Sequence, residues 1–204
     1  MKRPDPARVR LLSVGRELFS SRGYDAVSVR EITTGAKANL GAITYHFGSK
    51  ESLYHAVIDS IADGFASGIS EIATGAGPAL DRIEAVVRMG LNKFVKGPRA
   101  PAILLRELSN EGPLPPPIVR MMKRNVGLVA GIIRDGQKDG TIRSGDATLL
   151  ALSVISQPMY FNIAGRGIEQ ALGLAPKDPA VWSRVVDHVV KSVRHTIAKH
   201  PSKT

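Results

Sequence analysis

An all-α fold is predicted by three features of the 204-residue sequence. Apolar side chains recur at spacings of three and four along almost the whole chain, and alternating runs that would make strands are scarce. Helix starts and stops are punctuated where backbone chemistry wants them, with Ser, Asp or Pro in front and Gly behind. The composition, 43% hydrophobic and 23% charged with no cysteine, suits a globular chain whose core needs no disulfide.

The elements follow in order. Leu11, Val14, Leu18 and Phe19 share the face of a first helix, which Gly23 ends. Ser28-Val-Arg-Glu31 spells a capping box and opens a short second helix, interrupted at Gly35 to Lys37. Asn39 is the expected cap of a third, running through Ile43 to about Phe47. Ser49 caps a fourth, in which Leu53, Val57, Ile61 and Phe65 recur every four residues. Pro78, at the first helical position, opens a helix carrying Ile83, Val87, Leu91 and Phe94 that stops before Gly97-Pro98. A shorter helix is expected over 101–111, then a proline-rich connector from Gly112 to Pro117, then a helix to 138. Asp146 caps the next one, where the ring of Pro158 should kink the helix and free the Val154 carbonyl. The last, over 179–199, is rich in valine. Trp182, Val186, Val189, Val193 and Ile197 nevertheless keep helical spacing, and the period decides against a strand.

Charge narrows the function. Twenty-eight Lys and Arg against eighteen Asp and Glu leave +10, a surplus that suits a polyanion, with nucleic acid the first candidate. The surplus is spread almost evenly, so it does not say which part of the chain meets that partner. The longest apolar runs fall short of the roughly 18 residues of a membrane span, so no membrane partner is expected. The basic N-terminus lacks the apolar stretch of a secretory signal, and a cytoplasmic location follows. Asp135, Asp139, Gly140 and Asp146 fall at the first, fifth, sixth and twelfth positions of a calcium loop. Gln137 is neutral at the third, Lys138 and Arg143 add positive charge, and a glycine-rich connector explains the same letters. His188 and His195, two helical turns apart, read as surface residues rather than metal ligands. No nucleophile, phosphate loop or paired-carboxylate motif is found, so neither enzyme activity, a cofactor nor a metal is expected. An architectural DNA binder would share the charge but would not need the long helical remainder.

Residues 28–51, SVREITTGAKANLGAITYHFGSKE, preceded by Leu18-Phe19 and Gly23-Tyr24, resemble the DNA-binding signature of the TetR family of bacterial transcriptional regulators. The resemblance rests on Phe19, Gly23, Ser28, Ile32, Ala36, Gly41, Tyr45, Phe47, Lys50 and Leu53, and covers roughly residues 8–58. The run from Asn39 to Lys50 is similar to the CecR-like subgroup, which Leu105-Arg-Glu and Ser156-Gln-Pro fit more loosely. The resemblance implies a three-helix helix-turn-helix DNA-binding domain over 1–55 and a larger helical effector-binding and dimerisation domain over 56–204. It implies a homodimeric repressor released from a near-palindromic double-stranded operator by a small-molecule effector. An activator or a ligand-independent regulator of the same fold is the alternative.

In such a motif the second helix lies in the major groove with its first side chains at base edges. Here these would be Asn39, Leu40, Ala42 and Thr44. Tyr45 and Lys50 suit phosphates, His46 either, and the helix start at Ser28 offers N–H groups to a phosphate. Lys2, Arg3, Arg8 and Arg10 are further candidates for backbone or minor groove. Gly41 serves either base readout or a close approach of the third helix to the first, while Ile43 and Phe47 are expected in the core. Lys37 stands where the family usually has a glycine at positive φ, at a cost of about 1 kcal/mol. Arg88, Asn92, Arg106, Asn125, Gln157 and Tyr160 are the polar candidates for an effector pocket, one suited to an anion if either arginine is buried. The helices over 146–165 and 179–199 are the expected dimer interface, with Trp182, Val186, Val189 and Val193 on it. For Trp182, packing within one subunit is the alternative.

Overall fold

Five helices begin on a side-chain oxygen that satisfies their first free N–H groups. Asp5 accepts from Ala7 at 2.8 Å, Ser28 from Glu31 at 3.2 Å, Ser49 from Ser52 at 3.0 Å, Asp146 from Thr148 at 2.7 Å and Asp178 from Ala180 at 2.9 Å. The computed structural model describes residues 5–95, 99–175 and 178–199. Those residues form α1 (Pro6–Arg22), α2 (Val29–Gly35), α3 (Ala42–Phe47), α4 (Lys50–Thr74), α5 (Ala79–Val95), α6 (Arg99–Ser109), α7 (Pro116–Lys138), α8 (Ala147–Leu172) and α9 (Pro179–Ile197). Gly23, Gly48 and Gly173 end α1, α3 and α8 at positive φ. Two expected starts move. Pro78 lies just outside α5, where its carbonyl accepts from Asp81 and Arg82. Asn39 does not cap α3, which begins beyond Gly41 without any side-chain cap. The stop expected at Gly97-Pro98 lies outside the described residues.

The chain forms two compact units. The first joins the chain up to Gly64 with Arg99–Met121. Its core is Leu11, Phe19, Ile32, Ile43, Leu53 and Val57, closed by Ile103 of α6 and Ile118 of α7. This differs from the boundary expected at 55/56. The apolar face of α6 is buried against α1, so a segment distant in sequence belongs to the same core as the helix-turn-helix.

The second unit holds Phe65–Pro98 and the chain from Met122 onward. In it α5 packs on both α8 and α9, and Ile83, Val87, Leu91, Val129, Ile133, Ala151 and Val154 meet the valines of α9. Gly90 lets α5 come close to α8 at Pro158, whose Cβ would lie 3.2 Å from an added methyl group. Val186, Val189 and Val193, expected at a dimer interface, are 5%, 1% and 2% exposed in the single subunit. Their stripe is spent on the subunit's own core, and the interface assignment of these three is corrected. Trp182 is half-buried beside the same core and donates from Nε1 to Asn92 Oδ1 at 3.2 Å.

In the connector between α7 and α8 the three aspartates have partners within the chain. Asp135 pairs with Arg82 at 3.1 Å, Asp139 accepts from the Thr141 N–H and hydroxyl, and Asp146 caps α8. Those hydrogen bonds hold the Asp139 carboxyl below its ordinary range. Gln137 donates to the carbonyls of Arg143 and Gly145, and Ile142 forms an isolated antiparallel bridge with Ala198. Among the described residues no three His, Asp or Glu side chains gather as a metal site.

α8 corrects one further expectation. Ala147–Gly165 is long and apolar enough, by length and composition alone, to cross a bilayer. Counting uninterrupted apolar runs missed it because single Ser, Thr and Gln residues break a run without greatly lowering its mean. Leu150, Ala151 and Val154 face the core, whereas Leu149, Leu152 and Tyr160 are 63%, 43% and 62% exposed.

Candidate nucleic-acid interface

Local chemistry fixes α2 first. The Ser28 hydroxyl accepts from the Glu31 N–H, and Glu31 Oε2 accepts from the Ser28 N–H at 2.8 Å and from its hydroxyl at 2.7 Å. Arg22 adds an ion pair to Glu31 at 2.7 Å. These bonds, the Ser28 backbone first, hold the Glu31 carboxyl down at about 2. Ser28 is thus the expected cap, with its own donors committed to Glu31.

The pH consequence has a definite sign. A carboxyl whose folded value lies below its unfolded one stabilises above the unfolded value and loses that contribution as pH falls through the folded one. For Glu31 the window runs from about pH 5 down to about pH 2. Glu31→Gln is expected to flatten the acid limb of thermal stability across that window while lowering the plateau at neutral pH. Parallel melting series read both, and an unchanged acid limb would show that other carboxyls carry it.

The turn after α2 closes through Ala36, Lys37 and Ala38 N–H groups bonded back to Ile32, Thr34 and Thr33. Lys37 has φ 50°, the one positive-φ non-glycine among the described residues. Arg10 reaches from α1 to donate to the Ala36 carbonyl at 2.9 Å, so this arginine holds the turn instead of extending toward DNA. Lys37→Gly is expected to raise stability by about 1 kcal/mol, since only the lysine has a Cβ to strain there. An unchanged or lower melting temperature would show the strain to be absent.

α3 divides into two faces. Ile43 and Ala42 are 1% and 8% exposed and join the core, so Ala42 is withdrawn from the base-contacting set. Asn39, Leu40, Thr44 and Tyr45 face outward, with Leu40 64% and Tyr45 83% exposed. The His46 side chain is only 10% exposed, with Nε2 4.0 Å from Asp5 and its ring edge-on to Tyr45, so it is turned inward from the reading face. Gly41 has φ −75°, and an added Cβ would meet only Asn39 Oδ1 at 3.8 Å. Neither space nor conformation demands glycine there, which removes the close-approach reading. Lys50 opens α4 with Nζ 4.2 Å above the Tyr24 ring, and Arg8 lies 4.9 Å over Phe47.

Of the six residues expected in an effector pocket, three have hydrogen-bond partners of their own and one is exposed. Arg88 makes an exposed ion pair with Asp187 at 3.0 Å, and Asn92 accepts from Trp182. Arg106 belongs to the first unit, where it donates to the Phe19 carbonyl at 3.3 Å. Tyr160 faces outward on α8. Gln157 and Asn125 remain partly buried, and Asn125 Oδ1 is buried without a hydrogen-bond partner. The sequence reading placed the helix over 146–165 at an interface but did not single out its exposed Leu149 and Leu152.

A first helix followed by two short ones, the third presenting an exposed polar and aromatic face beside a lysine at the next helix start, defines a helix-turn-helix DNA-binding protein. Residues 11–57 match the family of bacterial regulatory proteins described as the tetR family. The chain is 30% identical over 163 residues to the transcriptional regulator UidR of Escherichia coli K12, covering 78% of this chain and 81% of that one. It is 26% identical over 165 residues to the transcriptional repressor NicS of Pseudomonas putida, covering 79% and 78%. Its fold is similar to that of AibR in a crystal structure with isovaleryl coenzyme A and operator DNA, at TM-score 0.72 and 17% identity, covering 92% and 97%. The chain belongs to the TetR family and is a helix-turn-helix DNA-binding transcriptional regulator, not an enzyme.

Proposed function

We propose that the protein is a cytoplasmic homodimeric repressor that reads a near-palindromic operator through Asn39, Leu40, Thr44 and Tyr45, with Lys50 on the phosphate backbone. The outward face of α3 and the turn before it carry this reading: Leu40 and Tyr45 are the two most exposed large apolar residues among those described in the first unit, and Thr44 lies between them in sequence. Leu40 offers methyl contacts, Asn39 and Thr44 hydrogen bonds, and Tyr45 a phenol at the groove edge. The repressor sense is supported by NicS, which is described as one. The run from Asn39 to Lys50 supports a place beside the CecR-like subgroup.

Two copies would set their α3 helices one DNA turn apart, roughly 34 Å. The apolar residues left exposed on α8, Leu149 and Leu152 with Tyr160, support that face as the contact between copies. A small-molecule effector releases the operator. Asn125 Oδ1 supports a ligand that donates an N–H or O–H, because a buried acceptor without a partner is costly. Each tenfold loss of operator affinity requires about 1.4 kcal/mol of preference for the released form.

The test uses duplexes recovered from a random-sequence library by binding to the protein, titrated by fluorescence anisotropy across salt. Lys50→Ala is expected to weaken all duplexes alike, about tenfold, and to lower the salt slope by about one unit. Thr44→Ala is expected to reduce discrimination between selected and scrambled duplexes with the slope intact. Recovery of no preferred sequence, or exchange of these two effects, refutes the assignment.

A further inference from the structure

We infer that Arg106 and Glu107 of α6 are positioning residues for Lys50, acting through Tyr54, Tyr24 and the last turn of α1. This rests on the reading of Lys50 as the phosphate contact. The two side chains are sequence neighbours in α6 and take hold of two different elements beneath that lysine. Glu107 accepts a short hydrogen bond from the hydroxyl of Tyr54, a residue of α4 that is 4% exposed. The Tyr54 ring stands edge-on to Phe19, and its centroid is 5.0 Å from that of Tyr24. Lys50 joins this ring cluster through Tyr24, with its ammonium 4.2 Å from the centroid of that ring. Arg106 meanwhile donates to the Phe19 carbonyl, which also receives the Gly23 N–H that ends α1. Its guanidinium occupies the space beside Gly23, where an added Cβ would come within 2.7 Å of Nη1. The residue after Gly23 is Tyr24 itself. One grip therefore fixes the Tyr54 ring that neighbours Tyr24, and the other fixes the backbone that carries Tyr24.

The physical advantage is preorganisation. A lysine ammonium on a four-carbon stem loses much rotamer freedom when it meets a phosphate. A ring that already holds the ammonium has removed part of that loss before DNA arrives, while leaving the outward N–H donors for phosphate oxygens. Burial and the Glu107 carboxylate both push the Tyr54 phenol well above its ordinary range, so the Tyr54–Glu107 bond keeps its proton donor throughout the physiological range.

The experiment is a double-mutant cycle on a library-selected duplex, together with the proton NMR shift of the Lys50 ε-methylene, which the Tyr24 ring current moves upfield. Glu107→Leu is expected to weaken binding about fivefold in the wild-type background and less than about twofold when Lys50 is already alanine. Tyr54→Phe, which keeps the ring and removes only the hydroxyl, is expected to follow Glu107→Leu. Glu107→Gln, which keeps an acceptor, is expected to restore near-normal binding. In Glu107→Leu the Lys50 ε-methylene shift is expected to move toward its random-coil position. Additive effects in the cycle, or an ε-methylene shift that stays in place in folded Glu107→Leu and Tyr54→Phe proteins, overturn the inference. Lys50→Ala with an unchanged salt slope instead overturns the phosphate reading, a failure that the NMR arm keeps separate.

Discussion

Leu149→Asp combined with Leu152→Asp is expected to convert the dimer into monomers and to lower operator affinity at least about a hundredfold. The argument begins with exposure. Both leucines lie on α8 outside the subunit core, so charging them removes little from the fold of the single chain. At an interface across a two-fold axis each would appear twice, and each buried leucine is worth roughly 1.5–3 kcal/mol. Aspartates in their place would also face their own copies. The effect on DNA exceeds the effect on any contact, because two reading heads joined as one molecule gain about 10² to 10⁴ from effective concentration. Sedimentation velocity gives the mass, and anisotropy on the selected duplex gives the affinity. A double variant that sediments as the wild type, or a monomer that binds as tightly, would refute the α8 interface.

The second large effect is expected from Phe19→Ala, at about 3–5 kcal/mol of stability. Phe19 is fully buried, packs edge-on to Tyr54 with centroids 5.0 Å apart and contacts Tyr24 at 6.0 Å. Removing the ring leaves a void in the core of the first unit and loosens the packing of Tyr24 and Tyr54. Amide hydrogen exchange is the discriminating measurement. Protection is expected to fall over the described residues up to Gly64 and over Arg99–Met121, and to persist around Val87, Val189 and Val193. A uniform loss across both cores would show that the two units do not unfold separately.

What the sequence disclosed was mostly local chemistry. Ser28 and Glu31, Ser49, Asp146 and Gly23 each act within one helical turn, so their roles could be assigned from neighbouring letters. Lys37 was legible for the same reason, since a turn between two short helices needs a positive φ whatever residue occupies it. Orientation was less accessible. α3 has six residues, too few turns for periodicity to separate the buried Ala42 from the exposed Thr44. The valine stripe of α9 and the leucines of α8 posed a related problem, because an apolar face looks alike whether its own subunit or a second copy covers it. Arg106 was placed in a pocket when its partner is a main-chain carbonyl 87 residues away, a pairing that carries no sequence signature. Asn125 was named as a polar pocket candidate, but nothing local announces that its oxygen is buried without a partner.

The first unit is assembled from two stretches of chain separated by α5, and this sets an order of events during synthesis. The helix-turn-helix leaves the ribosome early, with α1, α2 and α3 complete. Ile103 and Ile118, which close its core, emerge only after α5 has been made. Until then the nascent reading head exposes apolar surface and lacks the α6 side chains that grip it. A ribosome stalled between α4 and α6 would therefore carry a basic but incompletely packed DNA-binding segment. Competence to occupy an operator therefore arrives only with α6, even though the residues assigned to DNA are made before it.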